Sequence, residues 1–267
     1  MFSVEDLLTQ VNRLKKNRTL VVNNFLPVSE LNQLAVAESS VLRYNERAIA
    51  LFCEDNGVDR LLFYLAAPFD VPALGELLKD APRKPLVIDC IGKQEQVKPL
   101  SDALSGIGFE RYARFSRWRS KEIRLFSEHM MQEGMFETSA PQDADALMSL
   151  FLRTFDPFDA HFPTRERLLS DISDGLVFHA CDGGEIIAAV CLEKIGKREI
   201  YLFLDAVEET HRSSGIGVLL LQYALWHFRD YPSYMTWTND MNKPSNRMHK
   251  ALGMSYDGLK DIIMLYR

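Results

Sequence analysis

The sequence predicts an α/β (α+β) fold: a mixed, mostly antiparallel sheet flanked by helices, in two tandem units. Three observations carry that expectation. The second half contains three consecutive strand-like runs separated by glycine turns, the mark of an antiparallel meander. The last of these runs feeds a Gly-rich turn that opens an apolar helix. The first half repeats a similar order of hairpin, helix, strand, helix and strand, and 267 residues suffice for two domains of ordinary size.

Taken in order, Val4, Leu7, Leu8, Val11 and Leu14 fall on one face of a helix predicted over Ser3–Lys16. A second helix is expected over Ser29–Glu38. The apolar runs 48–54 and 60–67, joined by Asp55-Asn56-Gly57, read as a hairpin. A short helix (Pro72–Lys79), a buried strand (85–91), a helix (Gln94–Leu104) and a strand (Phe109–Trp118) follow. The stretch Lys121–Met135 is polar and Met-rich and reads as a helical connector, which sets the expected domains at 1–130 and 131–267.

The second half begins with helices over Gln142–Thr154 and Thr164–Ile172, joined by a loop from Asp156 to Pro163. Strands at 176–181, 185–194 and 199–207 turn at Asp182-Gly183-Gly184 and Gly196. The helix from Val218 to Phe228, a strand at 234–240, a helical segment from Asn242 to Gly253, and two closing strands (Ser255–Asp257, Asp261–Tyr266) complete the chain.

The chemistry concentrates between the strand ending at Val207 and the helix starting at Val218. There the chain reads Glu208-Glu209-Thr210-His211-Arg212-Ser213-Ser214-Gly215-Ile216-Gly217. A helix N-terminus offers unpaired N–H groups and the positive end of its dipole. Glycines let a ligand approach the backbone and tolerate positive φ. Such a turn suits a phosphorylated ligand. It is neither G-x-G-x-x-G, because the glycines close the turn rather than open it, nor a Walker A loop, since no G-K-[ST] follows.

Arg212-Ser213-Ser214-Gly215-Ile216-Gly217 matches the pattern [RQ]-x-x-G-x-[GA], and downstream Asn242, Ser245, Met248, His249, Leu252 and Gly253 follow at family spacing. On these residues the sequence resembles the GNAT superfamily, the acetyl-CoA-dependent N-acetyltransferases, over about 134–267. His249 stands where the family often has Tyr, and Glu209 where its loop has Pro. Gly106-Ile107-Gly108-Phe109 echoes Leu252-Gly253-Met254, so the first half resembles a degenerate second GNAT-like domain. Pro68-Phe69-Asp70-Val71-Pro72 sits where the phosphate loop would be, and prolines lack the N–H groups a cradle needs.

The resemblance implies an enzyme that moves an acetyl group from acetyl-CoA to a primary amine of a small molecule or peptide. Ser213, Ser214, Gly215, Ile216, Gly217 and Val218 would cradle the pyrophosphate, with Arg212 beside it. N–H groups near Ala206 and Val207 would bond the thioester carbonyl, and Asn242 the CoA arm. Asp205 and Glu208 are the candidate bases for the amine. His249, with an ordinary pKa of about 6.5, is the candidate acid for the leaving thiolate. Asp156, Asp159 and His161 are expected to hold a cationic acceptor. Two further readings stay open: a non-catalytic acyl-CoA sensor or scaffold, and a Fem-like aminoacyl transferase.

Charge and composition trim the partners. The net charge is −6, with +1 in residues 1–130 and −7 in 131–267. Neither half has the basic excess that phosphate neutralisation along a nucleic acid requires. Cys53, Cys90, Cys181 and Cys191 have no metal spacing and lie in apolar runs, so buried thiols and no metal are expected. No run approaches membrane-helix length and no signal-peptide pattern opens the chain, so no membrane association and a cytoplasmic location are expected. Oligomeric state is open.

Overall fold

The computed structural model describes residues 2–16, 20–23, 26, 28–55, 57–67, 70–79, 81, 85–125 and 135–267. The chain divides into two compact units, Met1–Arg114 with Leu259–Arg267, and Phe115–Gly258. Each contains a mostly antiparallel sheet with helices on both faces, the class the sequence predicts.

In the first unit, α1 (Val4–Lys15) starts where the Ser3 hydroxyl accepts from Asp6 N–H at 2.9 Å and buries Leu7 and Leu14. Next come β1 (Val21–Val22), α2 (Val28–Val36), β2 (Val41–Tyr44), β3 (Ala48–Asp55) and β4 (Val58–Leu65). The β3–β4 hairpin runs in register from Ala48↔Leu65 to Asp55↔Val58. Then α3 (Val71–Leu78), β5 (Leu86–Lys93), α4 (Gln94–Ser105) and the first half of β6 (Phe109–Ser120) follow. One face of β3 packs Ala48, Ala50 and Phe52 against α3 and α4, while the other packs Ile49 and Leu51 against α1. Pro68 and Phe69 lie outside the described residues, as do Asn56 of the hairpin turn and the 126–134 part of the expected connector helix. Asp70 and Pro72 are described: Asp70 is buried and paired with Arg47 at 3.3 Å, a carboxylate where a cradle would need free N–H groups.

The second unit holds β7 (Phe136–Thr138), α5 (Ala144–Thr154), α6 (Arg165–Ser173), β8 (Val177–Asp182), β9 (Glu185–Ile195), β10 (Glu199–Val207), α7 (Ile216–Trp226), β11 (Tyr234–Asn239) and α8 (Lys243–Ala251). Its strand order is β6-β11-β10-β9-β8-β7, with β6 contributing Phe115–Ser120. Residues 121–125 are not helical. The expected closing pair of strands is a single strand, β12 (Ser255–Tyr266), because Gly258 at φ +99° carries the chain through rather than reversing it. Its residues from Leu259 onward pair with β5 and belong to the first unit. The division by contacts therefore differs from a single cut at 130/131. Each unit is completed by strand residues from the other half of the sequence.

Three of the cysteines are buried, and burial pushes the Cys53 thiol up to about 12 and those of Cys90 and Cys191 upward as well. Cys181, expected to be buried, is exposed: the β8–β9 register shifts between Ala180 and Cys181, at the mouth of the glycine turn.

Candidate active site

The sheet of the second unit opens between β10 and β11. These strands pair in parallel only from Ile200↔Tyr234 to Leu202↔Thr236, where the Thr236 hydroxyl donates to Leu202 O at 3.0 Å. Beyond that point β10 continues to Val207 on β9, and β11 to Asn239 on β6, with no pairing between them. Two neighbouring strands that part in mid-course leave an edge of backbone polar groups that asks for a partner.

A β-bulge decides what faces that opening. The β10–β9 register shifts between Leu202 and Leu204. Ahead of it, Ile200 and Leu202 pack on the α7 face; beyond it, Leu204 and Ala206 pack on the α5–α6 face. Alternation then turns Asp205 and Val207 to the α7–α8 face. On the edge itself, Glu208 N–H donates to Ile187 O of β9 at 2.8 Å. By the same alternation Val207 and Asp205 direct their N–H groups to the open edge, whereas Ala206 directs its own toward β9. Of the two expected carbonyl donors, Val207 is therefore oriented for the role and Ala206 is not.

The loop after β10 has the geometry of an anion cradle. Ser213 sits at φ +66° and Gly215 at φ +88°, and a Cβ added at Gly215 would meet nothing within 4 Å. Gly217 has another reason to lack a side chain: its Cβ would lie 2.8 Å from Val207 Cγ2, so the first turn of α7 rests directly on β10. The amides of Ile216, Gly217 and Val218 open the helix, and the Ser214 hydroxyl accepts from Ile216 N–H at 3.3 Å. Arg212 is turned back, its Nε donating to Val207 O at 3.2 Å. The Asn242 side chain caps α8, accepting from Ser245 N–H at 3.2 Å.

Asp205 and His249 meet across the opening, with Nε2 to Oδ2 at 3.9 Å. The Asp205 side chain is 35% exposed, within reach of a ligand. Burial of its carboxyl raises the pKa to about 7, against a lesser lowering by its own backbone N–H. His249 is 1% exposed, and burial lowers its pKa to about 4. Burial thus favours the neutral ring at neutral pH. Glu208 is drawn away, its Oε2 accepting from Arg153 Nη2 of α5 at 2.8 Å.

On the opposite face, the α5–α6 loop brings Asp159 to the end of β11, where Asn239 Nδ2 donates to its Oδ2 at 3.4 Å. Burial first, and the nearby Asp156 second, raise the Asp159 carboxyl to about 6. Asp156 is exposed and folds the loop, accepting from Phe158 N–H at 2.9 Å. His161 is exposed.

Two further residues at the opening were not singled out from the sequence. Asn239 partners Asp159, and Thr238 is buried with its Oγ1 lacking a hydrogen-bond partner, as does His249 Nδ1. The signal existed: Thr236 and Thr238 occupy the same strand phase as buried Tyr234, polar groups on an apolar face. Orphaned polar atoms beside an open strand edge and a cradle with room over Gly215 fit an elongated ligand with a phosphorylated end. Among the described residues no group of three or more His, Cys, Asp or Glu gathers as a metal site, and no helix is long and apolar enough to cross a membrane.

Residues 144–254 match the family model for the acetyltransferase (GNAT) family. No curated protein matches the chain. Among solved structures, it is similar to a GCN5-related N-acetyltransferase from Sphaerobacter thermophilus, at 16% identity over 90% of this chain and 85% of that one, TM-score 0.59. A GCN5-related N-acetyltransferase from Kribbella flavida aligns over 100% of this chain and 96% of its own, at 14% identity and TM-score 0.57. A tandem GNAT protein from the clavulanic acid biosynthesis pathway aligns over 98% and 95%, at 13% identity and TM-score 0.57. At these identities the structures speak to fold. Residues 144–254 thus match the acetyltransferase (GNAT) family model, and the chain has the fold of the GNAT structures it aligns with, a tandem GNAT protein among them.

Proposed function

We propose that the protein transfers an acetyl group from acetyl-CoA to a primary amine of a small molecule or peptide, by direct attack of the amine. The observation that carries this reading is the opening between β10 and β11, with the Gly215 cradle at one end of β10 and a carboxyl of pKa about 7 facing into it. When bound, acetyl-CoA supplies an activated thioester carbonyl. The amides of residues 213–218 hold its pyrophosphate, and Val207 N–H bonds the carbonyl oxygen as negative charge develops there.

Asp205 does the proton work. As its carboxylate it takes the proton that the amine nitrogen sheds while the C–N bond forms and the C–S bond breaks. Holding that proton at about pKa 7, it is acidic enough to pass it to a departing thiolate, whose conjugate acid has a pKa of about 8.5 by analogy with cysteine. One carboxyl thus serves as base and then as acid. Neutral His249 is the wall behind it, and Asp159 with Asn239 receives the positive end of the acceptor.

The reading is tested by calorimetric titration with acetyl-CoA, on the wild type and on Gly215→Glu, followed by thiol release over a panel of amines. Binding to the wild type that the variant loses, with turnover on at least one amine, is the expected result. Absence of wild-type binding overturns the reading.

A further inference from the structure

The second unit has a cleft at the end of its sheet remote from the Gly215 cradle. Its volume is about 610 Å3, the size range of small-molecule sites. Glu199 lines it, and Glu199 begins the strand that Val207 ends; eight steps of about 3.3 Å put the two sites about 26 Å apart.

The cleft is basic in a chain whose net charge is −6. Arg119 and Lys121 enter from the end of β6, and Arg198 from the β9–β10 turn. Glu199 is the one carboxylate among the lining residues, and it is already engaged. It accepts from Arg119 Nε at 2.9 Å and from the Ser233 hydroxyl at 2.8 Å. Lys121 and Arg198 are exposed, and neither has an ion pair or hydrogen bond to a carboxylate among the described residues. Ile195, 41% exposed, and Pro232 add an apolar wall.

An internal pair that consumes the only negative charge, beside two cations left over, makes a concave positive site. A concave positive surface focuses field on anions, and a guanidinium presents paired N–H groups to an oxyanion. We propose that this cleft is a second ligand site, binding a small organic oxyanion through Lys121 and Arg198. The ligand is a phosphate ester or a polycarboxylate with a short apolar body that rests on Ile195 and Pro232. The site stands on residues separate from the acyl-transfer opening, so it does not depend on the reaction proposed above.

The test uses the full chain carrying Gly215→Glu, so that an anion cannot report the loop cradle instead. Pyrophosphate and citrate are titrated by calorimetry into this protein and into the same protein with Lys121→Glu and Arg198→Glu added. Both added substitutions are on exposed side chains, and an unchanged thermal midpoint verifies the fold. The expected result is binding of at least one probe, weakened about tenfold or more by the charge reversal and by added salt. Preference for pyrophosphate assigns the phosphate-ester class, and preference for citrate the polycarboxylates. No heat from either probe up to about 10 mM, or equal binding after the reversal, overturns the proposal.

Discussion

Asp205→Asn keeps the shape of the side chain and deletes its proton chemistry, so it isolates the role assigned to this carboxyl. A base of pKa about 7 is about 91% ionised at pH 8 and about 9% at pH 6, a tenfold change in the competent form. Wild-type kcat/KM divided by that of Asp205→Asn cancels the titration of the amine itself, and this ratio should fall about tenfold from pH 8 to pH 6. Removing a positioned base lowers kcat by about 10²–10⁴-fold, while affinity for acetyl-CoA stays within about twofold because the cradle lies beyond Val207. Stability supplies an independent readout. A folded-state pKa raised from the ordinary 3.8 to about 7 means the folded protein holds a proton the unfolded chain has lost. Stability is therefore given up as pH rises through that window. The Asn variant should match the wild type near pH 4 and exceed it at pH 8, on the order of 1 kcal/mol once screening at a side chain 35% exposed is allowed for. Initial-rate pH profiles by thiol release and thermal melts at the two pH values measure both. A ratio flat between pH 6 and 8, or a variant as active as the wild type, refutes the assignment.

Four other perturbations sort the remaining residues. His249→Phe should change kcat by less than about threefold, since a ring that loses its proton near pH 4 is not a cationic acid at pH 7; a loss of about 100-fold would restore that role. Glu208→Gln breaks an ion pair with Arg153 whose side chains are 32% and 54% exposed, and both melting temperature and kcat should barely move. Gly217→Ala drives a Cβ to 2.8 Å from Val207 Cγ2 and should cost about 1–3 kcal/mol in denaturant unfolding, with Val207→Ala in the same chain recovering much of it. Asp159→Asn should raise KM for a cationic acceptor while leaving acetyl-CoA affinity alone, and an unchanged KM for every amine turned over would remove Asp159 from the acceptor site.

The sequence carried the glycine loop after β10 and the meander well, because both depend on local backbone demands. Gly183, Gly184, Gly196 and Gly215 all adopt positive φ, the conformations that turns and the loop require. What it concealed depends on partners distant in sequence. Alternation along IYLFLDAV puts Phe203 and Asp205 on one face; the bulge that separates them exists only through pairing with β9. His249 lies in the segment KPSNRMHKA, polar enough to suggest a surface helix, yet it is 1% exposed because α8 turns that position inward. The short strands β1, β2 and β7 span two to four residues, too few for a period-two pattern to register. Gly258 looked like a break between strands and instead lies within one.

The route of the chain through its two units sets a timetable for its birth on the ribosome. Residues 1–114 are made well before the strand segment that pairs with β5, which starts at Leu259. At synthesis rates of about 5–20 residues per second, the intervening residues 115–258 take about 7–29 s to appear. Throughout that interval the nascent chain exposes the β5 edge without its native neighbour, rich in Leu86, Val87, Ile88 and Ile91. A stop codon ahead of Leu259 would leave that edge bare for good. Residues 259–267 are therefore ones whose loss should send the nascent protein to chaperones and proteases.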